Sequence, residues 1–467
     1  MCGIAAVYNP KNHILREGRD LALGVQHRGY ESAGFAVSTG DDILVYKDAG
    51  LVNEVFYDAA AKMLFSSRAG IAHTRYSTTG ISGSKNAQPI RIGDVALGHN
   101  GNLVNMDELT SRFSGRYKLS TTTDSELITC LFNDSVDFFE GAERCHEMCR
   151  GTYNLVLLNT KGEIGVFRDP SGNHPLFVGE DGDSFYAASE DFAFGHLNLD
   201  KMREMEPGEM IVVSSKGIDR KVVGSGTKKK ICSFEPVYFM NYGSTFRGNV
   251  ISDIRRNIGR RLAQLYPIEA DLVVPVLESG LSYCFGYSEE SGIPMSEAIP
   301  KNLFVGRTYM LPEGKDGETP EILRMTRSEL VRLKHRPIRS KVKGKRIILT
   351  DDSIVRKNVS SVITRSLQEA GATEIHWRVG YPPVRFPCFY GLDHARRRQL
   401  AAAPFEDPID AGNHVAEQIG ANSVRYIPMN ELRGILGDNG DLCFSCVDGA
   451  HWGDVQETDS FREAMSL

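Results

Sequence analysis

The sequence lacks the long apolar runs of membrane proteins, because no segment approaches about 18 consecutive apolar residues. A basic region followed by an apolar stretch is also missing near the N-terminus, so no secretion signal is expected and the cytoplasm is the predicted compartment. Basic residues are not in excess either, since the formal net charge is −6, and such a charge disfavours nonspecific nucleic-acid binding. We therefore expect neither a membrane nor a nucleic acid as a partner.

Disulfides are not expected, although the chain contains nine cysteines, because cytoplasmic proteins keep their thiols reduced. Most buried cysteines pack as small apolar side chains. Packing is the expected role of Cys130, Cys145, Cys149 and Cys284. Cys2 differs by its position beside the initiating methionine, and Cys443 and Cys446 differ by their C-x-x-C spacing. These three cysteines are therefore candidates for a catalytic or metal-binding role.

The first half of the chain has the pattern of an α+β domain rich in sheet. Short apolar stretches between Gly, Asp and Asn residues predict strands at 4–8, 34–37, 43–46, 71–72, 95–97, 153–158 and 210–213. Helical periodicity predicts helices at 17–26 and 124–132. Because 467 residues are too many for one small core, we expect two domains. A Gly- and Lys-rich linker at 223–230 divides them into residues 1–228 and 229–467.

The second half alternates strands with helices. Helices are predicted at 252–265 and 360–370, the latter ended by Gly371, and strands at 272–276 and 346–349. Such repeats predict a mostly parallel sheet with a ligand site in the loops at the carboxyl ends of its strands. The charged and polar segment 313–337 is a candidate for a mobile flap over that site.

Cys2 is the predicted catalytic nucleophile. A cysteine thiol is mostly protonated at neutral pH and needs a base before it can attack a carbonyl. An N-terminal cysteine carries its own base, because its free α-amine has an ordinary pKa of roughly 8. Removal of Met1 is the only processing that this arrangement requires.

Ordered motifs in the first half resemble an N-terminal-nucleophile glutaminase domain. They are MCGIAAVY at 1–8, QHRGYESAG at 26–34, HTRYSTTG at 73–80, GHNGNL at 98–103, TTTDSE at 121–126 and FRDPSGNHPL at 167–176. Their order and spacing are more specific than any one of them. The resemblance implies an αββα sandwich that releases ammonia from glutamine.

The same resemblance implies a role for each residue of the glutaminase site. Cys2 attacks the side-chain amide, and Asn100 (side chain) and Gly101 (backbone N–H) match the oxyanion hole. Arg75 matches the arginine that holds the α-carboxylate of glutamine, a role suited to a planar bidentate donor. Asp124 matches the acid that receives the α-ammonium. The alternative is that Arg75 and Asp124 form surface ion pairs.

The second half resembles the type I phosphoribosyltransferase-like α/β domain of the glutamine phosphoribosyl-pyrophosphate amidotransferases. The matching stretches are CSFEPVYF at 232–239, GYSEESGIP at 286–294, VGRTYMLP at 305–312, RLKHRP at 332–337, ILTDDSIVR at 348–356 and PPVRFPCFYGLD at 382–393. With the first half, the resemblance covers nearly the whole chain. It implies that ammonia reaches C1 of 5-phosphoribosyl 1-pyrophosphate and forms 5-phosphoribosylamine at the head of purine synthesis.

The resemblance also implies metal sites and an acceptor site. In the iron–sulfur-bearing branch of the family, a [4Fe–4S] cluster is held at the positions of Cys232, Cys388, Cys443 and Cys446. Four thiolates also suit zinc, which is the alternative. The matching Mg²⁺ positions are Ser279, Asp351 and Asp352, whose hard oxygen ligands suit that ion. The other implied acceptor-binding residues are Gly280, Arg307, Lys334, Ser353, Arg356, Lys357 and Ser360.

Several positions depart from the family pattern. The phosphate loop reads DDSIVRKNVS instead of roughly DDSIVRGTTS, so Lys357 and Val359 replace a glycine and a threonine. Glycine lets a backbone curl close to a phosphate, and threonine hydroxyls donate to it. A different loop geometry is therefore expected at Lys357. The other departures are Tyr30, Asn241, Tyr242, Gly243, Glu278, Leu281 and Leu303.

Three hypotheses about function follow from these patterns. The first is the amidotransferase that uses phosphoribosyl pyrophosphate, with glutamine as nitrogen donor and a homo-oligomeric state expected from the family. The second is a specialised paralogue that aminates another acceptor, because the phosphate loop is altered. The third is a non-catalytic paralogue that binds a ligand or a partner, which the complete set of glutaminase residues disfavours.

Overall fold

The computed structural model describes residues 1–11, 14–62, 67–76, 84–302, 305, 327–392, 396–453, 455 and 458–465. The chain forms two compact units. Unit 1 consists of Met1–Cys232, Cys388–Ala395 and His451–Arg462, and unit 2 consists of Ser233–Pro387, Arg396–Ala450 and Glu463–Leu467. The expected linker at 223–230 ends two residues before Cys232, the last residue of the first segment of unit 1. Two later segments of the chain also belong to unit 1. The functional assignment of residues 1–228 and 229–467 stays a prediction.

Unit 1 consists of strands with helices between them. The strands are β1 (Gly3–Tyr8), β2 (Ser32–Ser38), β3 (Ile43–Ala49), β4 (Ala69–Arg75), β5 (Ile90–Ile92), β6 (Val95–Leu103), β7 (Gly151–Asn159), β8 (Ile164–Phe167), β9 (Phe177–Asp181), β10 (Ser184–Ala188), β11 (Lys201–Glu204), β12 (Glu209–Ser214), β13 (Gly217–Val222) and β14 (Ile231–Cys232). The helices are α1 (Leu15–Gly24), α2 (Val52–Lys62), α3 (Met106–Phe113), α4 (Asp124–Asn133) and α5 (Phe138–Met148). Short 3-10 helices lie at Gln26–Arg28, Ser84–Asn86 and Asp191–Phe194.

Two antiparallel sheets form the centre of unit 1. One has the order β11-β9-β10-β1-β4-β2-β3 and the other β13-β12-β8-β7-β6-β5. Side chains of a strand alternate between its two faces. In β1, Ile4 and Ala6 therefore pack between the sheets, whereas Ala5 and Val7 pack with α1 and α2. Helices α3, α4 and α5 cover the outer face of the second sheet. The expected αββα sandwich is confirmed.

Unit 2 is built on a parallel sheet of four strands in the order β17-β18-β19-β20. The strands of this unit are β15 (Thr245–Phe246), β16 (Asn249–Val250), β17 (Leu272–Pro275), β18 (Arg346–Asp351), β19 (Glu374–Val379), β20 (Ser423–Tyr426) and β21 (Leu442–Cys443). Its helices are α6 (Ile251–Leu265), α7 (Leu281–Ser291), α8 (Arg327–Lys334), α9 (Arg339–Val342), α10 (Asn358–Ala370), α11 (Pro408–Ile419), α12 (Met429–Ile435) and α13 (Ser445–Asp448). Unit 2 also contains a π-helical turn at Glu235–Phe239 and a 3-10 helix at Arg397–Gln399. Helix α14 (Asp459–Met465) begins in unit 1 and ends in unit 2.

The sequence-based elements are present, but most strands are longer than predicted, the strand at Leu272–Pro275 is one residue shorter, and several helix ends are shifted by one or two residues. The strand predicted at 95–97 extends over Val95–Leu103, because the polar Asn100 and Asn102 are part of it. The helix predicted to begin at 360 begins at Asn358, and Gly371 ends it with a left-handed φ of 98°. Only residues 327–337 of the candidate flap are among those described. No helix in the described part of the chain is long and apolar enough to cross a membrane.

Close packing of α6 against α7 depends on glycine. A Cβ added to Gly286 would lie 1.9 Å from the carbonyl oxygen of Arg256. We expect Gly286→Ala to lower the free energy of unfolding by about 2 kcal/mol or more, because the two backbones must separate. The matched control is Gly434→Ala, since an added Cβ there meets no atom within 4 Å. Urea denaturation of both variants measures the difference, and equal midpoints would contradict the packing argument.

Candidate functional site

Cys2 lies at the start of β1 and is held through its backbone. Its N–H donates to Asn100 Oδ1 at 2.9 Å, and Arg28 Nε donates to its carbonyl oxygen at 3.1 Å. The thiol Sγ lies 3.5 Å from the carbonyl oxygen of Tyr76. Cys2 is 8% exposed, so the nucleophile is nearly enclosed by the surrounding residues.

Asn100 and Gly101 lie next to each other on β6, as the expected oxyanion hole requires. Asn100 is fully buried, and its Nδ2 atom has no hydrogen-bond partner among the described residues. A buried amide donor without a partner is unfavourable unless a ligand supplies one. An added Cβ at Gly101 would lie 2.0 Å from the carbonyl oxygen of Thr152, so no larger residue fits there. Asn100 therefore offers a buried amide donor on the residue whose Oδ1 binds the backbone of Cys2.

Arg75, at the end of β4, is buried and is not part of a surface ion pair. Its Nη1 lies 3.0 Å from Glu31 Oε1, and both side chains are at most 9% exposed. The alternative interpretation of Arg75 as a surface residue is therefore wrong. Glu31 belongs to the QHRGYESAG motif but was not assigned a role from sequence. Its contact fixes the guanidinium that the glutamine carboxylate would meet.

Asp124, the first residue of α4, is buried as well. Its Oδ2 accepts the N–H of Leu103 at 2.9 Å, and its Oδ1 lies 3.6 Å from Nδ1 of His99. Burial by itself raises the pKa of the Asp124 carboxyl, but His99 and the hydrogen bonds from Leu103 and Ser125 outweigh that effect and lower it. Asp124 is thus a buried carboxylate, as the binding of an ammonium group requires.

A buried ion pair contacts the backbone of Cys2. Arg28 Nη1 lies 2.6 Å from Glu190 Oε1, and both side chains are completely buried. His27 also contacts Glu190, at 2.8 Å. Sequence reasoning did not identify Arg28 or Glu190, because 162 positions separate them in the chain. The Arg28 side chain thereby connects a buried carboxylate to the backbone of Cys2.

The acids of the expected acceptor site lie at the carboxyl end of β18. Ser279 Oγ donates to Asp351 Oδ1 at 2.9 Å, and the N–H of Asp352 donates to the same oxygen at 3.0 Å. Burial and the neighbouring carboxylate of Asp352 raise the pKa of Asp351 well above its usual value, and burial raises that of Asp352. Ser353 Oγ donates to Asp352. A negative charge on the buried carboxyl group of Asp351 or Asp352 is energetically unfavourable unless a cation or a hydroxyl group binds it.

Gly280 follows Ser279 and lies against the neighbouring strand. An added Cβ would lie 2.2 Å from the carbonyl oxygen of Thr350. Glu278, which departs from the family pattern, pairs with Lys301 at 3.3 Å. Lys334 is the last residue of α8 and Arg356 precedes the phosphate loop. Arg307 and Leu303 lie outside the described residues.

The phosphate loop keeps a backbone conformation that glycine usually supplies. Lys357 has a φ of 39°, in the left-handed region, and stands at the start of α10. Its carbonyl oxygen accepts the hydroxyls of Ser360 and Ser361, and its Nζ donates to Gln418. Val359 packs against the core of unit 2. The side chains of Lys357 and Val359, which depart from the expected loop sequence, therefore contact other parts of unit 2.

The four expected cluster cysteines are divided between the two units, with Cys232 and Cys388 in unit 1 and Cys443 and Cys446 in unit 2. Three of them are buried and Cys388 is partly exposed. Their sulfurs have polar neighbours: the N–H of Tyr390 donates to Cys388, and the hydroxyl of Tyr381 lies 3.4 Å from Cys446. Within the described ranges, no three His, Cys, Asp or Glu residues are grouped as metal ligands.

The other four cysteines pack as expected. Cys130, Cys145 and Cys149 belong to the core between the second sheet and its helices. Cys284 is fully buried in α7. Burial raises the pKa of the Cys130 and Cys284 thiols to about 12, which keeps them protonated and unreactive.

Similarity to known proteins agrees with this site. Residues 73–195 match a family model described as a glutamine amidotransferase domain, and this match gives the class of the protein. The whole chain is 37% identical to an amidophosphoribosyltransferase of Synechococcus elongatus, across 96% of this chain and 91% of that relative. It is 36% identical to the amidophosphoribosyltransferase of Methanocaldococcus jannaschii, across 97% of each. The chain belongs to the amidophosphoribosyltransferase family.

Two solved structures share the fold over their full length. One is the glutamine phosphoribosylpyrophosphate amidotransferase from B. subtilis complexed with ADP and GMP, with 31% identity, a TM-score of 0.84, and coverage of 98% of this chain and 99% of that one. The other is described as the allosteric regulatory enzyme of purine biosynthesis, with 30% identity, a TM-score of 0.85, and coverage of 100% and 99%. The two-domain fold expected from the sequence is therefore confirmed.

The buried Arg28–Glu190 pair gives a prediction about the nucleophile. Glu190→Gln keeps the shape but removes the buried carboxylate that neutralises the Arg28 charge, so we expect about 3 kcal/mol less stability and a lower kcat for glutamine hydrolysis. Glu209→Gln is the matched control, because its partner Arg203 is 41% exposed and such pairs contribute about 1 kcal/mol or less. Chemical denaturation and a glutaminase assay measure both effects. Equal losses in the two variants would contradict the assigned role.

Proposed function

We propose that this protein is a glutamine-dependent amidophosphoribosyltransferase of purine biosynthesis. Glutamine supplies ammonia, and the acceptor is C1 of 5-phosphoribosyl 1-pyrophosphate, which becomes 5-phosphoribosylamine. Full-length similarity to proteins of that name supports the overall reaction. The observation that carries the glutaminase half is the unpartnered Nδ2 of Asn100, which lies on the residue that binds the backbone of Cys2.

The first half-reaction follows from the residues around Cys2. After removal of Met1, the α-amine of Cys2 accepts the thiol proton, and the thiolate attacks the side-chain carbonyl carbon of glutamine. Asn100 Nδ2 and the N–H of Gly101 stabilise the oxyanion of the tetrahedral intermediate. The α-amine returns the proton to the leaving nitrogen, which departs as ammonia. Water then hydrolyses the glutamyl thioester, while Arg75 and Asp124 hold the α-carboxylate and the α-ammonium.

The second half-reaction uses the acids at the end of β18. Asp351 and Asp352 accept the ribose hydroxyls, and ammonia displaces pyrophosphate from C1. The raised pKa values of these buried carboxylates fit a site completed by a cation. Ser279, Asp351 and Asp352 would hold Mg²⁺, which would neutralise the charge of the pyrophosphate. A cytoplasmic location and a homo-oligomeric state remain predictions.

A specialised acceptor is the second candidate, and the phosphate loop is the observation that favours it. Lys357 donates to Gln418 and Val359 packs on the core, so neither offers the small donor that a 5′-phosphate usually meets. Incubation with phosphoribosyl pyrophosphate, Mg²⁺ and ammonia separates the candidates. Pyrophosphate release supports the first candidate, whereas its absence from an enzyme with glutaminase activity supports another acceptor. Binding without turnover at either site would support the non-catalytic paralogue.

Cys2→Ala tests the source of nitrogen. We expect the variant to lose glutamine hydrolysis by at least about 10³-fold, because the thiolate that forms the thioester is gone. Activity with added ammonium salts should remain close to that of the wild type, since the acceptor site is untouched. Unchanged glutaminase activity would overturn the assignment of Cys2, and loss of both activities would indicate a folding defect, which circular dichroism detects.

We further propose that Cys232, Cys388, Cys443 and Cys446 hold a [4Fe–4S] cluster, with zinc as the alternative metal. The family resemblance and the hydrogen bonds to the sulfurs of Cys388 and Cys446 support this proposal. The cluster would supply a structural cross-link, and no step of the reaction needs it.

Cys446→Ser tests the metal site. We expect the purified wild type to contain about four irons per chain and to absorb light at about 400 nm. The variant should lose the iron and the absorbance. Cys284→Ala is the control, because Cys284 packs in α7 and should not affect the iron content. Elemental analysis decides between the metals. Zinc in place of iron would support the alternative, and a wild type without either metal would overturn the proposal.

A further inference from the structure

A short segment near the C-terminus packs against the strand that carries the oxyanion hole. Residues 389–391 lie in the segment Cys388–Ala395 of unit 1, although the chain before and after that segment belongs to unit 2. Asn102 Nδ2 donates to the carbonyl oxygen of Phe389 at 3.0 Å, and Thr152 Oγ1 donates to that of Tyr390 at 2.9 Å. We call residues 389–391 the oxyanion brace.

The two donors are neighbours on adjacent strands, one residue beyond the oxyanion hole. Asn102 follows Gly101 on β6, and it pairs with Thr152 on β7. Thr152 Oγ1 also accepts the N–H of Asn102, at 3.3 Å. The side chains therefore fasten both strands to the brace at the position where Gly101 must present its N–H.

The outer side of the brace is fixed as well. His174 Nε2 lies 2.7 Å from the carbonyl oxygen of Tyr390, which thus receives a second polar contact. Gly391 has a φ of 116°, and an added Cβ would lie 3.0 Å from the same histidine nitrogen. The Tyr390 ring stacks on Trp452 at a centroid distance of 4.3 Å, and its hydroxyl donates to the carbonyl oxygen of that residue. The brace has therefore little freedom to move away from β6 and β7.

We propose that the oxyanion brace is a positioning element of the glutaminase site, an inference that rests on the proposed function. An oxyanion hole works only if its donors lie about 2.7–3.1 Å from the position that the charged oxygen will occupy. Misplacement by about 1 Å can cost about 100-fold in rate. The brace holds the backbone beside Gly101 and thereby sets the direction of that N–H.

Thr152→Val removes the hydroxyl that binds the brace and keeps the shape of the side chain. We expect kcat for glutamine hydrolysis to fall between about 10-fold and 100-fold. The KM for glutamine should change by less than about threefold, because Arg75 lies on β4 and its partner Glu31 is untouched. Thr152→Ser, which keeps the hydroxyl, should restore most of kcat.

A matched control separates positioning from a general loss of stability. Ser67→Ala also removes a buried hydroxyl that donates to a backbone carbonyl, that of Ser38 at 2.8 Å, at the opposite end of β4 from Arg75. Alkylation of Cys2 by iodoacetamide, followed by mass spectrometry, gives a second measurement. This reaction needs the thiol and its base but no oxyanion hole, so Thr152→Val should leave its rate unchanged.

Gly391→Ala tests the same inference from the brace and decides it if Thr152→Val does not fold. Its Cβ would press on His174, so we expect the same loss of kcat with a nearly constant KM. A kcat within about twofold of the Ser67→Ala value would overturn the inference, and so would a parallel loss of the alkylation rate. A wild type without glutaminase activity would overturn the proposed function together with this inference, whereas the other two results would leave the proposed function intact.

Discussion

The buried ion pair between Arg28 and Glu190 is the interaction on which the glutaminase site depends. Two charges without any solvent exposure are unfavourable unless each meets a partner of opposite sign and further hydrogen bonds. Arg28 meets both conditions, because its Nη1 contacts Glu190 and its Nε donates to the carbonyl oxygen of Cys2. The stability of the pair and the position of the nucleophile are therefore coupled.

The contact between Arg28 and Cys2 helps to order a residue that would otherwise be mobile at the end of the chain. Terminal residues have little to hold them and are usually poorly ordered. Here the N–H of Cys2 binds Asn100, its carbonyl oxygen binds Arg28, and the following residues form β1 in the middle of a sheet of seven strands. The thiol and its future amine base are thus fixed by the backbone.

Residues whose proposed role depends on the side chain could be predicted from the sequence, whereas residues that contribute only backbone atoms could not. The roles proposed for Cys2, Arg75, Asn100 and Asp124 rest on side-chain chemistry, so short motifs with fixed spacing are enough to predict them. The contribution of the brace is different, because residues 389–391 offer backbone carbonyl oxygens that any residue type carries. Glu190 has a distinctive side chain, but only the folded chain brings it to Arg28. Short apolar stretches between turn residues predicted the strands, and the resemblance to a known family implied the αββα arrangement. The return of the segments Cys388–Ala395 and His451–Arg462 to unit 1 has no periodic pattern that would have predicted it.

The phosphate loop shows why a substitution pattern and a loop geometry must be considered separately. Replacement of glycine by Lys357 predicts a different backbone path, since non-glycine residues disfavour positive φ by roughly 1–2 kcal/mol. Lys357 nevertheless adopts a φ of 39°, and the hydroxyls of Ser360 and Ser361 bind its carbonyl oxygen. The left-handed turn that glycine supplies most easily is therefore present at Lys357, and the expectation of a different loop geometry stays a prediction. The side chains of the loop differ in chemistry from the expected Gly and Thr. Lys357 Nζ donates to Gln418, and Val359 packs against the core of unit 2. A residue without the freedom of glycine keeps a left-handed φ only where its surroundings hold it, and here the hydroxyls of Ser360 and Ser361 do so. The case for a specialised acceptor therefore rests on the side chains of Lys357 and Val359 and not on a change of backbone.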